Sequence, residues 1–219
     1  MNTDFDLMFV ARPPLPTKPK ALVLLLHGVG GNETNLRDLA SAMDPHTLVV
    51  MPRGPITLGP GQHGWFRVNF TATGPVIVEA EAEQSRQTLI RFVQQLQQAH
   101  GITPQHTVVA GFSQGGILSA SVALSAPELV AGFAVLSGRI LPELKPDLAA
   151  PAQLQHLRAF IGHGGYDSKL PVVWAQRSDA LLNVLGVPHT TRLYPIDHGI
   201  SAAMQADFLS WLQTVQAGP

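Results

Sequence analysis

The stretch His106-Thr107-Val108-Val109-Ala110-Gly111-Phe112-Ser113-Gln114-Gly115-Gly116 runs a short β-branched segment straight into a Gly-x-Ser-x-Gly pentapeptide. The residues that follow, 117–124, are apolar nearly all round, the pattern of a helix buried inside a domain, and Pro127 stops it. Strand, sharp turn and buried helix are the setting that a nucleophile elbow requires, with a serine held exposed at a strained backbone position. Gly111 and Gly115 flank that serine because a side chain at either place would collide across the turn. The turn also offers the Gln114 backbone N–H at a helix N-terminus, where the dipole favours a developing oxyanion.

Outward from the elbow, similar aliphatic runs recur at Ala21–Leu26, 47–51, Gly132–Leu136, 157–161 and 190–194, each read with 106–110 as a buried strand. Helical periods lie between them. Over 79–99, Leu89, Val93 and Leu96 share one face while Gln94, Gln95, Gln97 and Gln98 are left to solvent. Met204, Phe208, Trp211, Leu212 and Val215 keep a helical stripe to the C-terminus. Strands alternating with helices predict an α/β fold, a mainly parallel sheet flanked by helices on both faces, with its chemistry at the carboxyl ends of the strands. At 219 residues, one domain over 1–219 accommodates the whole pattern.

Two Pro/Gly-rich stretches, 53–75 and 138–151, interrupt the alternation, and loops that long inside a domain are usually functional or mobile. In the first, Phe66, Val68 and Phe70 alternate with Arg67 and Asn69, which predicts a short strand within the loop. The segment 53–75 is read either as a lid or wall over a binding site or as a surface excursion covering the sheet edge.

Composition narrows the function classes. Charged residues are 13% of the chain and the net charge is −1, so there is no whole-protein field to hold phosphate backbones, and nucleic-acid binding is not expected. With no cysteine there is no thiolate nucleophile, thiolate metal site or disulfide framework. The first nine residues carry Asp4 and Asp6 and no secretory signal pattern, and the longest apolar run falls far short of the roughly 20 residues of a membrane span. A cytoplasmic protein without integral membrane association is expected.

A serine hydroxyl needs a base to take its proton and a carboxylate to hold that base. Of nine histidines, His156, His163, His189 and His198 lie beyond Ser113, where the order nucleophile, acid, base places the base. His198 follows the strand 190–194 and leads into the last helix, at the carboxyl end of a strand. His163 also follows a strand and is the alternative, whereas His156 and His189 precede theirs. For the acid, Asp167 lies in Gly162-His163-Gly164-Gly165-Tyr166-Asp167, directly after 157–161. Asp197 is adjacent to His198, and neighbouring side chains on extended backbone diverge, so it is the weaker choice. Glu128, Glu143 and Asp147 read as surface groups. The second oxyanion donor should follow an earlier strand, and the Val29 N–H in Leu26-His27-Gly28-Val29-Gly30-Gly31 is the candidate. That segment lacks the spacing of a phosphate-binding loop, and no His-Glu-x-x-His or comparable metal spacing occurs in the chain.

These residues resemble the phospholipase/carboxylesterase family of small α/β-hydrolases, which includes acyl-protein thioesterases. The resemblance runs through Leu26-His27-Gly28-Val29-Gly30, residues 52–55, Trp65-Phe66, Gly111 to Gly116, Leu136-Ser137-Gly138, His163 to Asp167 and Asp197-His198-Gly199. It implies the α/β-hydrolase fold, Ser113 as nucleophile, Asp167 as acid, His198 as base, and the Val29 and Gln114 backbone N–H groups as oxyanion hole. Two departures, Gly31 where many members have Asp and Arg67 where Asp is frequent, point away from protein depalmitoylation and toward a bacterial-type small-molecule carboxylesterase. The expectation is a cofactor-free serine hydrolase acting on short- to medium-chain carboxylic esters or thioesters. Trp65, Phe66, Leu170, Val172 and Ile200, which flank the candidate loops, are the expected acyl-pocket walls. Acyl transfer through the same triad and a non-catalytic binder of small ligands are the alternatives.

Overall fold

A computed structural model describes residues 5–71 and 74–217. A seven-stranded sheet forms its centre, from β1 (Phe9–Ala11), β2 (Ala21–Leu26), β3 (Thr47–Pro52), β8 (Thr107–Phe112), β9 (Gly132–Leu136), β10 (Arg158–Gly164) and β11 (His189–Tyr194). Two hairpins intervene in the chain, β4 (Ile56–Gly59) with β5 (Gln62–Gly64) and β6 (Val68–Thr71) with β7 (Gly74–Ile77). The strand order is β1-β3-β2-β8-β9-β10-β11, antiparallel only at the β1 edge.

The inner strands are aliphatic on both sides because both faces are covered: every residue of β2, β3 and β9 is buried. On one face pack α2 (Glu79–His100), α3 (Gln114–Ser125), α4 (Pro151–Leu154) and α5 (Val173–Leu185), through side chains such as Phe92, Leu118, Leu154 and Leu182. On the other lie α1 (Arg37–Ser41) and α6 (Ala202–Ala217), through Leu39, Met204, Phe208 and Leu212. Phe208 and Trp211 sit 6.1 and 5.9 Å from the Phe160 ring, tying α6 to β10 with aromatic area. No described helix is long and apolar enough to cross a membrane.

Register decides where chemistry can gather. Leu26, Gly111, Val135, Ile161 and Thr191 are paired across β2, β8, β9, β10 and β11. The chain therefore leaves five adjacent parallel strands on one edge of the sheet, within a few residues of this row. The predicted strand inside 53–75 is β6, starting at Val68 rather than Phe66, and β1, β4, β5, β7, α1, α4 and α5 are additional to the sequence reading.

Candidate active site

The elbow forms as its glycines require. A Cβ on Gly115 would lie 2.0 Å from the Leu26 carbonyl oxygen, and one on Gly111 would lie 2.3 Å from the Gly115 carbonyl carbon, so α3 seats directly against the ends of β2 and β8. Between them Ser113 adopts φ 53° and ψ −115°, a conformation that L-residues rarely hold, fixed by its N–H bonding the Leu136 carbonyl at 2.8 Å. Gly138 packs under it, since a Cβ there would meet the Ser113 carbonyl oxygen at 2.8 Å.

The structure brings the three sequence-selected side chains into one chain of hydrogen bonds. Ser113 Oγ lies 3.0 Å from His198 Nε2, and His198 Nδ1 lies 2.7 Å from Asp167 Oδ2. Asp167 is acceptor only, so Nδ1–H donates to it and Nε2 is left to accept from the serine hydroxyl. The other Asp167 oxygen accepts the Lys169 and Leu170 backbone N–H groups at 2.9 and 2.7 Å, which fixes the carboxylate of a side chain with no solvent exposure. The His198 ring is 5.0 Å from that of Phe112.

Competing residues have other tasks. His163 is buried, donates from Nε2 to the Leu170 carbonyl at 2.7 Å and does not reach Ser113. His156 bonds the Pro127 carbonyl, and His189 bonds the Val187 carbonyl and Asp179. Asp197 does not hold the imidazole. Its carboxylate accepts the Ser168 and His198 backbone N–H groups, both at 2.7 Å, and these bonds lower its pKa, the Ser168 N–H contributing most. It locks the loop of Asp167 to the loop of His198. Ser137, also at positive φ (49°), donates its hydroxyl to the Gly199 carbonyl at 2.8 Å and anchors the loop of His198. Neither role has a signal in the sequence beyond the motif itself.

Val29 and the N-terminus of α3 front the same cavity of about 870 Å³ as Ser113 and His198. The first N–H groups of a helix have no intrahelical acceptor, so that of Gln114 is available there, and the neighbouring turn is held by Gly30 N–H bonding the His63 carbonyl at 2.8 Å. His27 secures this corner: Nδ1 donates to the Gly28 carbonyl and Nε2 accepts the Gly54 N–H, a neutral tautomer consistent with burial holding its pKa below the usual histidine value. The Gln114 side chain does more than the sequence indicated. Its Oε1 accepts the Trp65 N–H and its Nε2 donates to the Phe66 carbonyl, each at 2.7 Å, clamping Trp65 and Phe66 to the elbow.

Of the expected pocket walls, Phe66 and Leu170 line the cavity, together with Val68, Ile77, Ile117 and Trp174. Trp65 does not: its indole is fully buried and donates to the His27 carbonyl at 2.9 Å, which makes it part of the core. Val172 caps the start of α5 outside the cavity, and Ile200 faces a smaller neighbouring recess of about 360 Å³ beside Val29 and Phe112. A recess of about 240 Å³ against α2 contains none of the expected walls and shares Ile77 with the main cavity; it is built around Arg86 and Glu83, an ion pair.

The family model for Phospholipase/Carboxylesterase matches residues 9–216. Acyl-protein thioesterase 1 of Kluyveromyces lactis is 28% identical over 172 residues, 74% of this chain and 75% of that protein. Esterase YpfH of Escherichia coli is 29% identical over 177 residues, 78% of this chain and 73% of that protein. The carboxylesterase from Mesorhizobium loti shares the fold, with a TM-score of 0.82 at 24% identity, over 99% of this chain and 97% of its own. With the family match running from the first strand to the last helix, this chain belongs to the phospholipase/carboxylesterase family of α/β-hydrolases and is an esterase or thioesterase.

Proposed function

We propose that this protein is a serine carboxylesterase that cleaves short- to medium-chain carboxylic esters or thioesters through an acyl-enzyme on Ser113. The observation that carries the reading is the Asp167–His198–Ser113 relay, with separations of 2.7 and 3.0 Å, opening on an apolar-walled cavity. The serine proton passes to His198 Nε2 as Oγ bonds the carbonyl carbon, and the developing oxyanion faces the Val29 and Gln114 N–H groups. Collapse breaks the bond to the alcohol or thiol, which leaves with the proton from His198. Water then attacks the acyl-enzyme with His198 again as base, releasing the acid and restoring the serine. Asp167 stays ionised and holds the imidazole in the required tautomer.

Hydrolysis of p-nitrophenyl esters of increasing acyl length, by wild type and Ser113→Ala, tests the reading. Activity with a chain-length optimum that Ser113→Ala abolishes is expected, with fluorophosphonate labelling lost in the variant. A wild type inert on every ester and unlabelled by fluorophosphonate would overturn it. Product analysis with added alcohol separates hydrolysis from acyl transfer.

A further inference from the structure

Three arginines are buried, and two have their partners built in. Arg12 donates to the carbonyls of Ala40, Met43, Asp44 and Thr47, and Arg86 bonds Glu83 and Ser125 with Asp147 at 3.7 Å. Arg139, immediately after the Gly138 that supports the nucleophile, is different. It is 4% exposed, its Nε is buried with no hydrogen-bond partner, and none of the ion pairs among the described residues includes it. Its guanidinium lies 4.3 Å from the centroid of the Trp174 ring, which also holds Arg177 at 4.8 Å. A ring face orients a guanidinium but leaves its in-plane donors unused.

Arg139 borders the reaction cavity. Arg139 and Trp174 line it along with Ser113 and His198, and no Asp or Glu does. The remaining charged lining residue, Lys169, is exposed and also positive. Glu143, the acid whose charge reaches Arg139, is exposed, lies beyond ion-pair distance and does not line the cavity; a cation held out of water without a close partner is costly, and a planar fork of N–H donors fits a carboxylate with two parallel bonds. We propose that Arg139 receives a carboxylate carried by the substrate, so that the preferred substrates are esters or thioesters bearing a free carboxylate rather than neutral aliphatic ones. This rests on the esterase reading above and narrows it to a substrate class.

The test compares kcat/KM in isosteric pairs. Monoethyl glutarate against ethyl pentanoate places the charge on the acyl side, and 2-carboxyethyl butyrate against propyl butyrate places it on the alcohol side. For wild type, one pair should favour the carboxylate by about 10- to 100-fold, the range of a charge-assisted bidentate contact. Arg139→Met should collapse that ratio to about one or below, and Arg139→Lys should keep part of it, having the charge without the fork. A wild-type ratio of one or less in both pairs overturns the proposal, as does a ratio that Arg139→Met leaves intact or that Lys169→Met removes instead. Should Arg139→Met not fold, inhibition of wild-type ethyl pentanoate hydrolysis by glutarate, and not by 1,5-pentanediol or equal ionic strength of chloride, supports it, and equal inhibition by chloride overturns it. Ser113-dependent turnover of ethyl pentanoate reports separately on the esterase reading. If every ester is inert, saturable glutarate binding lost in Arg139→Met decides the inference by itself.

Discussion

Replacing Gln114 with Met keeps an unbranched chain of similar length on α3 while deleting both arms of the clamp on the pocket wall. The Trp65 N–H and the Phe66 carbonyl, each 2.7 Å from the amide and each on a residue at most 1% exposed, are then buried without a partner. An orphaned buried polar group costs about 1–3 kcal/mol, so the pair amounts to about 2–6 kcal/mol, a large part of the roughly 5–15 kcal/mol that holds a protein folded. For a chain of this length the melting temperature should fall by about 5–20 °C, read by calorimetry at fixed protein concentration. Phe66 lines the cavity, so kcat/KM for p-nitrophenyl esters should fall more for long acyl chains than for acetate, while Ser113 in the folded fraction still reacts with fluorophosphonate. A melting temperature within about 2 °C of wild type together with an unchanged chain-length profile would refute the clamp.

Gly115→Ala places a methyl 2.0 Å from the Leu26 carbonyl oxygen and should abolish soluble folded protein, whereas Gly199→Ala, with nothing within 4 Å of its Cβ, should shift the urea midpoint little; equal effects would contradict the close-packed elbow. Ser137→Ala removes the hydroxyl bond to the Gly199 carbonyl and should cost about 1 kcal/mol of stability, with kcat falling several-fold as the His198 loop loosens; unchanged kcat would show that the anchor is dispensable. Glu33 has its pKa lowered from 4.5 to about 2 by its bond to the Arg53 guanidinium, so its contribution to stability is present above 4.5 and is lost as pH falls toward 2. The difference in urea midpoint between wild type and Glu33→Gln should therefore close on acidification across that window, and a gap independent of pH would reject the pairing.

The loops after β2 and β8 were legible because those strands are unambiguous in composition, whereas β11, read as a buried strand, is an edge strand with only Tyr194 buried. Ala21–Leu26 and Gly132–Leu136 are apolar at every position, and their observed ends match the reading. The strand read as 157–161 runs on to Gly164, because sheet pairing carries Gly162-His163-Gly164 along despite a composition that reads as loop. β1 and the hairpin of β4 and β5 are too short for a period to register, and α5 was left unread although its buried residues Ala175, Ser178 and Leu182 keep helical spacing. At the site, the gathering of Ser113, Asp167 and His198 follows from order and strand ends, whereas Trp65, expected in the pocket, lies in the core. Sequence adjacency to Phe66 could not reveal that the indole turns to the His27 carbonyl instead. Arg139 was likewise silent, since whether a guanidinium lacks a partner depends on contacts that no local pattern encodes.

Under the proposed function, the row of strand ends makes the chemistry all-or-none. Val29 follows β2, Ser113 follows β8, Asp167 follows β10 and His198 follows β11, so the reacting groups span 170 positions of sequence and their own strands do not pair in one local hairpin. No proteolytic fragment confined to half the chain holds both Val29 and His198, and under the proposed mechanism a sheet that lacks its last strand has a hydroxyl with nothing to accept its proton. Under the proposed mechanism, covalent capture of Ser113 by a fluorophosphonate counts molecules in which β8 and β11 are both in place. That makes the reagent a titrant of native protein in a refolding mixture, where a spectroscopic signal would also register collapsed chains with ordinary helix content.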